Sequence, residues 1–402
     1  MVNIETKHFE VQNKHTELKH NLLKNTLNTA IGIANHFVSK LPQPTYTYVD
    51  LFAGRGMFGD GTKGSPVIAL EVLTNYLNSA INKNFTNLRI VATEKNEENQ
   101  TELKQNIEKI MNFNSVANKI QFYTSNGDWQ KYSDDIKKFL KNSNSGFIFA
   151  DPFSTELNMQ NLKSLFKGIK YHDVLILINN NALERVLGLN DDESLNKICR
   201  YFDVDIDVVK GLKNTTLSNA AIIRHLIKKS LEDIDKDIVI NIALPRTRSG
   251  KIENGDRFYL CLLTSSVGVS DSYLKTYAEI KDNKEIQNSN GQRNLFQGNS
   301  EYEYFNLCET IKNVVEIKKT LTLYELVSTL YDDFFSWKDA NSKEIPTSTN
   351  LQTSLNILLE NKTLRVLPNS FIAKRCKTKT KLTQGAFSSK ANLSTVNLVC
   401  NR

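Results

Sequence analysis

The stretch YTYVDLFAGRGMFGDGTKGS, residues 46–65, decides the fold. A run of β-formers ends in Asp50, and five glycines follow within fourteen positions. Gly54-Arg55-Gly56-Met57-Phe58-Gly59 fits G-x-G-x-x-G, a pattern whose bare backbone passes close under a nucleotide-type ligand. Taken by itself that pattern fits many loops. The residues around it sharpen the reading, because Asp50 closes the strand with three residues between it and Gly54, and the next strand ends in Glu94. Glu94 lies 35 residues beyond Gly59, whereas a dehydrogenase places its acidic residue about 20 positions on. The spacing therefore disfavours a nicotinamide dehydrogenase. It fits an S-adenosylmethionine loop, with Phe52, Gly54 and Gly56 under the methionine part. Asp50 would hold the amino group and Glu94 the ribose hydroxyls.

Outward from the loop, strands alternate with helices. Ser65-Pro66 opens a helix, with serine as cap and proline in the first turn. NLRIVATE is a second strand, KIQFYTSNGDW a third, GFIFADPFS a fourth and DVLILINNN a fifth. Alternation requires parallel strands covered by helices on both faces. KDIVINIALP and RFYLCLLTSS are then consecutive, so their pairing is antiparallel. The expected fold is α/β: a Rossmann-like class I methyltransferase sheet, mostly parallel with one antiparallel strand. Asn126 and Asp128 at the end of the third strand are both candidates to face the adenine, or ordinary turn formers. Asp151-Pro152-Phe153 ends the fourth strand at the edge where such folds react. These three are the candidate catalytic residues, with Asp151 orienting or deprotonating the methyl acceptor. The Asn179-Asn180-Asn181 run either lines the same cleft or caps the next helix.

Four segments follow from this reading: an N-terminal helical segment (1–44), the Rossmann-like domain (45–268), a polar linker or mobile loop (269–304) and a C-terminal domain (305–402). The last reads helix, helix, short basic hairpin, like a winged helix-turn-helix, with a small helical packing or dimerisation domain as the alternative. Residues 361–402 carry nine Lys or Arg and no Asp or Glu, against a net charge of +7 for the chain. Lys362, Arg365, Lys374, Arg375, Lys377 and Lys379 are the candidate nucleic-acid contacts; a solubilising basic tail is the competing reading.

No apolar run reaches the roughly 18 residues of a membrane span, and the polar N-terminus has no signal core, so the chain reads as cytoplasmic with no membrane partner. The five cysteines contain no C-x-x-C pair, and the closest histidines, His15 and His20, miss the i, i+4 spacing of a helical metal site. No metal is expected.

Residues 46–71, with KHTELKHNLLKN upstream and FIFADPF downstream, resemble the three-Cys-motif partner proteins. Their loop reads roughly Asp-Leu-Phe-Ala-Gly-Pro-Gly, then Asp-Gly, then Gly-Ser-Pro. Asp50 to Gly54, Gly56, Asp60, Gly61 and Gly64-Ser65-Pro66 stand in those places, and Arg55 replaces the proline. The resemblance implies a methyltransferase-like fold, S-adenosylmethionine as cofactor, a three-Cys-motif partner protein and a mobile or phage-linked gene neighbourhood, with a defence role among the expectations. It says less about the substrate. Asp151-Pro152-Phe153 also resembles the Asp-Pro-Pro-aromatic box of amino methyltransferases, lacking the second proline. The function expected is methyl transfer to nucleic acid or a nucleic-acid-associated partner. The alternative is a ligand-binding module without turnover.

Overall fold

The structure, a computed structural model, describes residues 14–79, 83–152, 157–189, 191–231, 234, 236, 238–248, 251–288, 300–331, 334–335, 347–366 and 396–400. Phe153, Lys374, Arg375, Lys377 and Lys379 lie outside the described residues. The chain divides into two compact units, Met1–Asp237 with Ala243–Ser265, and Ile238–Ile242 with Ser266–Arg402.

The first unit opens with helix α1 (Lys14–Phe37), strand β1 (Thr45–Asp50), α2 (Ser65–Asn78), β2 (Asn87–Glu94), α3 (Glu97–Phe113), β3 (Ile120–Asn126), α4 (Ser133–Lys141), β4 (Ser145–Ala150), α5 (Met159–Phe166) and β5 (His172–Ile178). Helices α6 (Asn180–Leu189), α7 (Asp192–Phe202), α8 (Ile206–Lys213) and α9 (Asn219–Leu231) follow, then β6 (Ile238–Arg248), whose first five residues count with the second unit, and β7 (Lys251–Thr264). Seven of the sheet's eight strands lie in the order β3-β2-β1-β4-β5-β7-β6. Strands β1 to β5 pair in parallel, and β7 pairs antiparallel to β5. This is the Rossmann-like α/β sheet with one reversed strand that the alternation predicts. Strands β1, β4 and β5 are buried at every position, as helices on both faces demand. At the edge, β3 exposes Gln121, Tyr123 and Asn126. The strand order reverses between β1 and β4, which opens a crevice at their carboxyl ends.

Helix α1 packs with this sheet rather than forming a segment of its own. Leu22, Leu23, Leu27 and Ile31 are buried to within 1%, a helical stripe that fastens the helix over α2 and β4. At the start of α2 the capping expectation is corrected. Gly64 is the cap residue, with no side-chain cap bond, and Ser65 is the first helical residue. The Ser65 hydroxyl bonds the Asp50 carboxylate instead.

The second unit contains α10 (Val267–Asn288), α11 (Ser300–Lys318), β8 (Thr320–Thr322), α12 (Leu323–Tyr331), β9 (Phe334–Phe335), α13 (Ser348–Glu360), β10 (Leu364–Val366) and β11 (Asn397–Cys400). The linker expected over 269–304 is corrected in its first half, which α10 occupies. Val269, Tyr273, Leu274 and Tyr277 recur at helical spacing and are buried to within 1%, and that stripe outweighs the polar residues between them. The Asp271 carboxylate accepts from the Ser348 amide (2.7 Å) and hydroxyl (2.9 Å), tying α10 to the start of α13. Strand β11 lies between β10 and β8, antiparallel to both. Lys362 and Arg365 flank the start of β10 and are exposed. Among the described residues no helix is long and apolar enough to cross a membrane, and no cluster of three metal-ligating side chains occurs.

Candidate active site

Asp50 ends β1 with no exposure. It accepts from the Tyr48 hydroxyl (3.0 Å) and the Phe52 amide (3.2 Å). Burial pushes its carboxyl up to about 7, although the Ser65, Phe52 and Tyr48 bonds work against that rise. Asp50 is thus a hub beneath the loop, joining the strand end, the loop start and the helix start.

The loop above it divides in two. Gly54 and Gly56 hold φ of 61° and 74°, the left-handed region that glycine enters without a Cβ penalty. A Cβ on Gly56 would also stand 2.7 Å from Leu103 Cδ1. The second part folds back on itself: Met57 bridges Lys63, and the Phe58 amide donates to the Thr62 carbonyl at 2.9 Å. Gly64 closes the turn, its amide 2.8 Å from the Gly56 carbonyl. Arg55, the departure from the expected proline, fixes the loop from outside. Its Nε donates to Asn99 Oδ1 (2.7 Å) and its carbonyl accepts from Asn106 (3.0 Å), both on α3.

Glu94 ends β2 and is 9% exposed. One carboxylate oxygen accepts from the Gly54 amide and the other from the Asn96 amide, each at 2.8 Å. Each oxygen keeps a second lone pair, so the carboxylate both shapes the loop and can accept from a ligand. Asn126 and Asp128 stand farther along the edge. Asn126 is exposed, and its carbonyl accepts from the Tyr132 hydroxyl (2.7 Å). Asp128 caps the turn Trp129–Tyr132 by accepting from the Gln130 amide (3.0 Å).

Between the loop and the end of β4 lies a cavity of about 250 Å³. Phe52, Gly54, Gly56, Asp151 and Pro152 line it, as do Thr16, Lys19 and His20 of α1 and Arg257 and Phe258 of β7. Glu94, Asn126 and Asp128 do not line it, and Asp50 lies beneath. Asp151 is ion-paired and hydrogen-bonded to Lys19, with side-chain exposures of 18% and 11%. His20, beside it, is held near a pKa of about 3, first by burial and then by the Lys19 charge, against a hydrogen bond to the Lys63 backbone. It is therefore neutral at physiological pH and a weak proton acceptor. Of the Asn run, Asn179 lines the cavity and caps α6 through the Ala182 amide (3.2 Å), and Asn180 is buried on Glu184 (2.5 Å).

Sequence reasoning about single motifs missed Lys19, His20, Arg257 and Phe258. A helical stripe was visible over α1, and Thr16, Lys19 and His20 share one face at i, i+3 and i+4. Nothing local says that this face meets Asp151, 132 residues away.

No family model and no curated protein matches the chain. Solved structures do. The methyltransferase domain of bacterial CtHen1 is 14% identical, covers 60% of this chain and 98% of its own, and superposes with a TM-score of 0.30. A Legionella pneumophila protein is 11% identical over 61% of this chain and 85% of its own, with a TM-score of 0.33. The plantazolicin methyltransferase BpumL, solved in complex with SAH, is 12% identical over 63% and 86%, with a TM-score of 0.27.

Proposed function

We propose that this chain is an S-adenosylmethionine-dependent methyltransferase acting on nucleic acid or on a nucleic-acid-associated partner. The observation that carries this reading is the cavity that sets the left-handed Gly54 and Gly56 opposite the Asp151 carboxylate. The residues fit the cofactor. The space of about 250 Å³ that Gly54 and Gly56 line suits its methionine half, and Glu94 at the end of β2 suits its ribose. Bound there, the cofactor supplies an electrophilic methyl group on a sulfonium.

The protein's part is placement. Asp151, held by Lys19, accepts a hydrogen bond from the nucleophile and fixes its direction. His20 is too weak a base to strip a hydroxyl. An amine nucleophile, which keeps its proton until after attack, therefore suits the site better than an alcohol. The basic segment 361–402 supports nucleic acid as the acceptor's carrier. The order α11, β8, α12, β9, α13, β10, β11, in which β8, β10 and β11 form one sheet with β11 central, supports the winged-helix reading. The three-Cys-motif partner and a phage-linked defence role rest on the resemblance alone.

Calorimetric titration with S-adenosylmethionine tests the cofactor, beside Glu94→Ala and an NAD control. Binding that weakens about tenfold or more in the variant is expected. Asp151→Ala should retain cofactor binding and lose methyl transfer to DNA or RNA. Full transfer by that variant would remove Asp151 from the mechanism. The second reading, a binding module without turnover, draws on the Lys19 ammonium already seated on Asp151. It gains if the cofactor binds and no polymer or partner is methylated.

A further inference from the structure

The same edge of the first unit carries a second cavity, of about 660 Å³. Its walls are Asn181, Glu184 and Arg185 of α6, Asn219 at the first position of α9, and Arg257 of β7. Arg257 also lines the Asp151 cavity, so the two cavities share that side chain. The pairing of Ile178 with Tyr259 puts Arg257 just past the last β5–β7 rung, level with the start of α6. Asn181, Glu184 and Arg185 follow at i, i+3 and i+4 and form one helix face.

The chemistry of this cavity is that of an anion site. Two guanidinium groups face one carboxylate, and that carboxylate accepts from the Asn180 amide at 2.5 Å. Arg185 donates its Nε to the Asn181 carbonyl at 3.3 Å. Among the described residues no carboxylate lies within ion-pair distance of Arg185. The Asn181 and Asn219 side-chain amides add neutral donors. Helix α9 begins at Asn219, so the positive end of its dipole adds to the two arginines. Arg257 lies 5.1 Å from the Phe258 ring centroid, which holds the guanidinium at the boundary with the first cavity.

We infer that this second cavity is a phosphate subsite, which takes a phosphodiester of the nucleic acid whose base enters the Asp151 cavity. The inference rests on the acceptor class proposed above. Guanidinium groups bind phosphate oxygens in pairs, and Phe258 supplies a ring beside Asp151 against which a base stacks. A strand laid along the edge would then meet Phe258, Arg257 and Arg185 in that order.

The test uses the full chain and fluorescein-labelled single-stranded DNA and RNA dodecamers, titrated by anisotropy from low to physiological salt. Cofactor binding is measured in parallel by calorimetry. Arg185→Ala is expected to weaken whichever polymer binds by about tenfold and to reduce the salt slope by about one. Arg185→Lys should restore the slope, because it keeps the charge. Cofactor affinity should stay unchanged in both, since Arg185 lies outside the first cavity and is exposed. Wild-type affinity and slope in Arg185→Ala overturn the subsite, as does failure of the wild type to bind either polymer at low salt. Arg185-dependent polymer binding without cofactor binding keeps the subsite and sinks the methyltransferase reading.

Discussion

The two ends of the site are built by different means. At the β1–β4 end, Asp50 is fully buried, His20 is 7% exposed and Lys19 reaches from α1 to Asp151. At the β2–β3 end, Asn126 is exposed and Asp128 serves its own turn. The first end is enclosed by a helix far away in sequence, and burial moves the titration of Asp50 and His20. The second end is assembled from residues within a few positions of one another. The enclosed end should therefore answer strongly to single substitutions and to pH, and the open end weakly.

The largest expected effect is at Lys19. Lys19→Met leaves the Asp151 carboxylate without its ammonium in a space it shares with α1. Removing one partner of a buried pair costs about 3–5 kcal/mol, and with Asp151 18% exposed the low end of that range applies. Urea denaturation reads the loss. Asp151→Asn in the Lys19→Met background should recover part of it, as a coupled pair requires. A cost below about 1 kcal/mol would mean that α1 does not secure this end, and the contrast between the two ends would fail there.

Next comes the pH dependence carried by Asp50. Its folded pKa is raised from 3.8 to about 7, so the folded state holds a proton that the unfolded state has lost. Its contribution to stability is present below about pH 4, falls as pH rises through about 7, and is level above that. His20 and His172, both held near 3, act oppositely: their contribution is present above 6.5 and is lost as pH falls toward 3. Asp173, raised by burial to about 6, runs with Asp50. Because these slopes overlap, the difference between wild type and Asp50→Asn isolates Asp50. From about pH 5.5 to pH 8 the variant should gain about 2 kcal/mol relative to wild type. A parallel pair of stability curves would mean that Asp50 titrates normally.

The sequence made the frame of this site legible and left its closure hidden. The run from Tyr46 to Asp50, the glycines, and Glu94 at the end of NLRIVATE are local signals, and each lies at a strand end or a tight turn. The reversed strand β7 followed from two consecutive strands. The Arg55 departure proved to be a staple to α3, a role visible only once Asn99 and Asn106 stand beside the loop. Lys19 and Arg257 reach the site through packing of α1 and through β5–β7 register, which no motif encodes. The helix over Val267–Asn288 was obscured by composition. Its buried stripe is sparse, and the polar tail NKEIQN resembles a linker unless Tyr273, Leu274 and Tyr277 are weighed as one face. Ser65 misled for a related reason: a serine before a proline reads as a cap, but its hydroxyl is drawn to the buried Asp50.

The smallest expected effect is at Asp128, and it examines the open end on its own terms. Asp128 accepts from the Gln130 amide at 3.0 Å and starts the turn that buries Trp129 to 2%. Asp128→Ala removes that cap, which costs about 1 kcal/mol. Asp128→Asn keeps an accepting oxygen and should cost only a few tenths of that. Asn126→Ala, at an exposed position, should be nearly neutral. Urea midpoints measure all three, and cofactor titration of the same variants separates turn from ligand. If Asp128 faces the adenine amino group, Asp128→Asn weakens binding while stability holds. If Asn126 does, only Asn126→Ala weakens it. A loss of 3 kcal/mol or more in Asp128→Ala would show this end to be as tightly coupled as the other, because a lone cap in a short turn cannot supply that much.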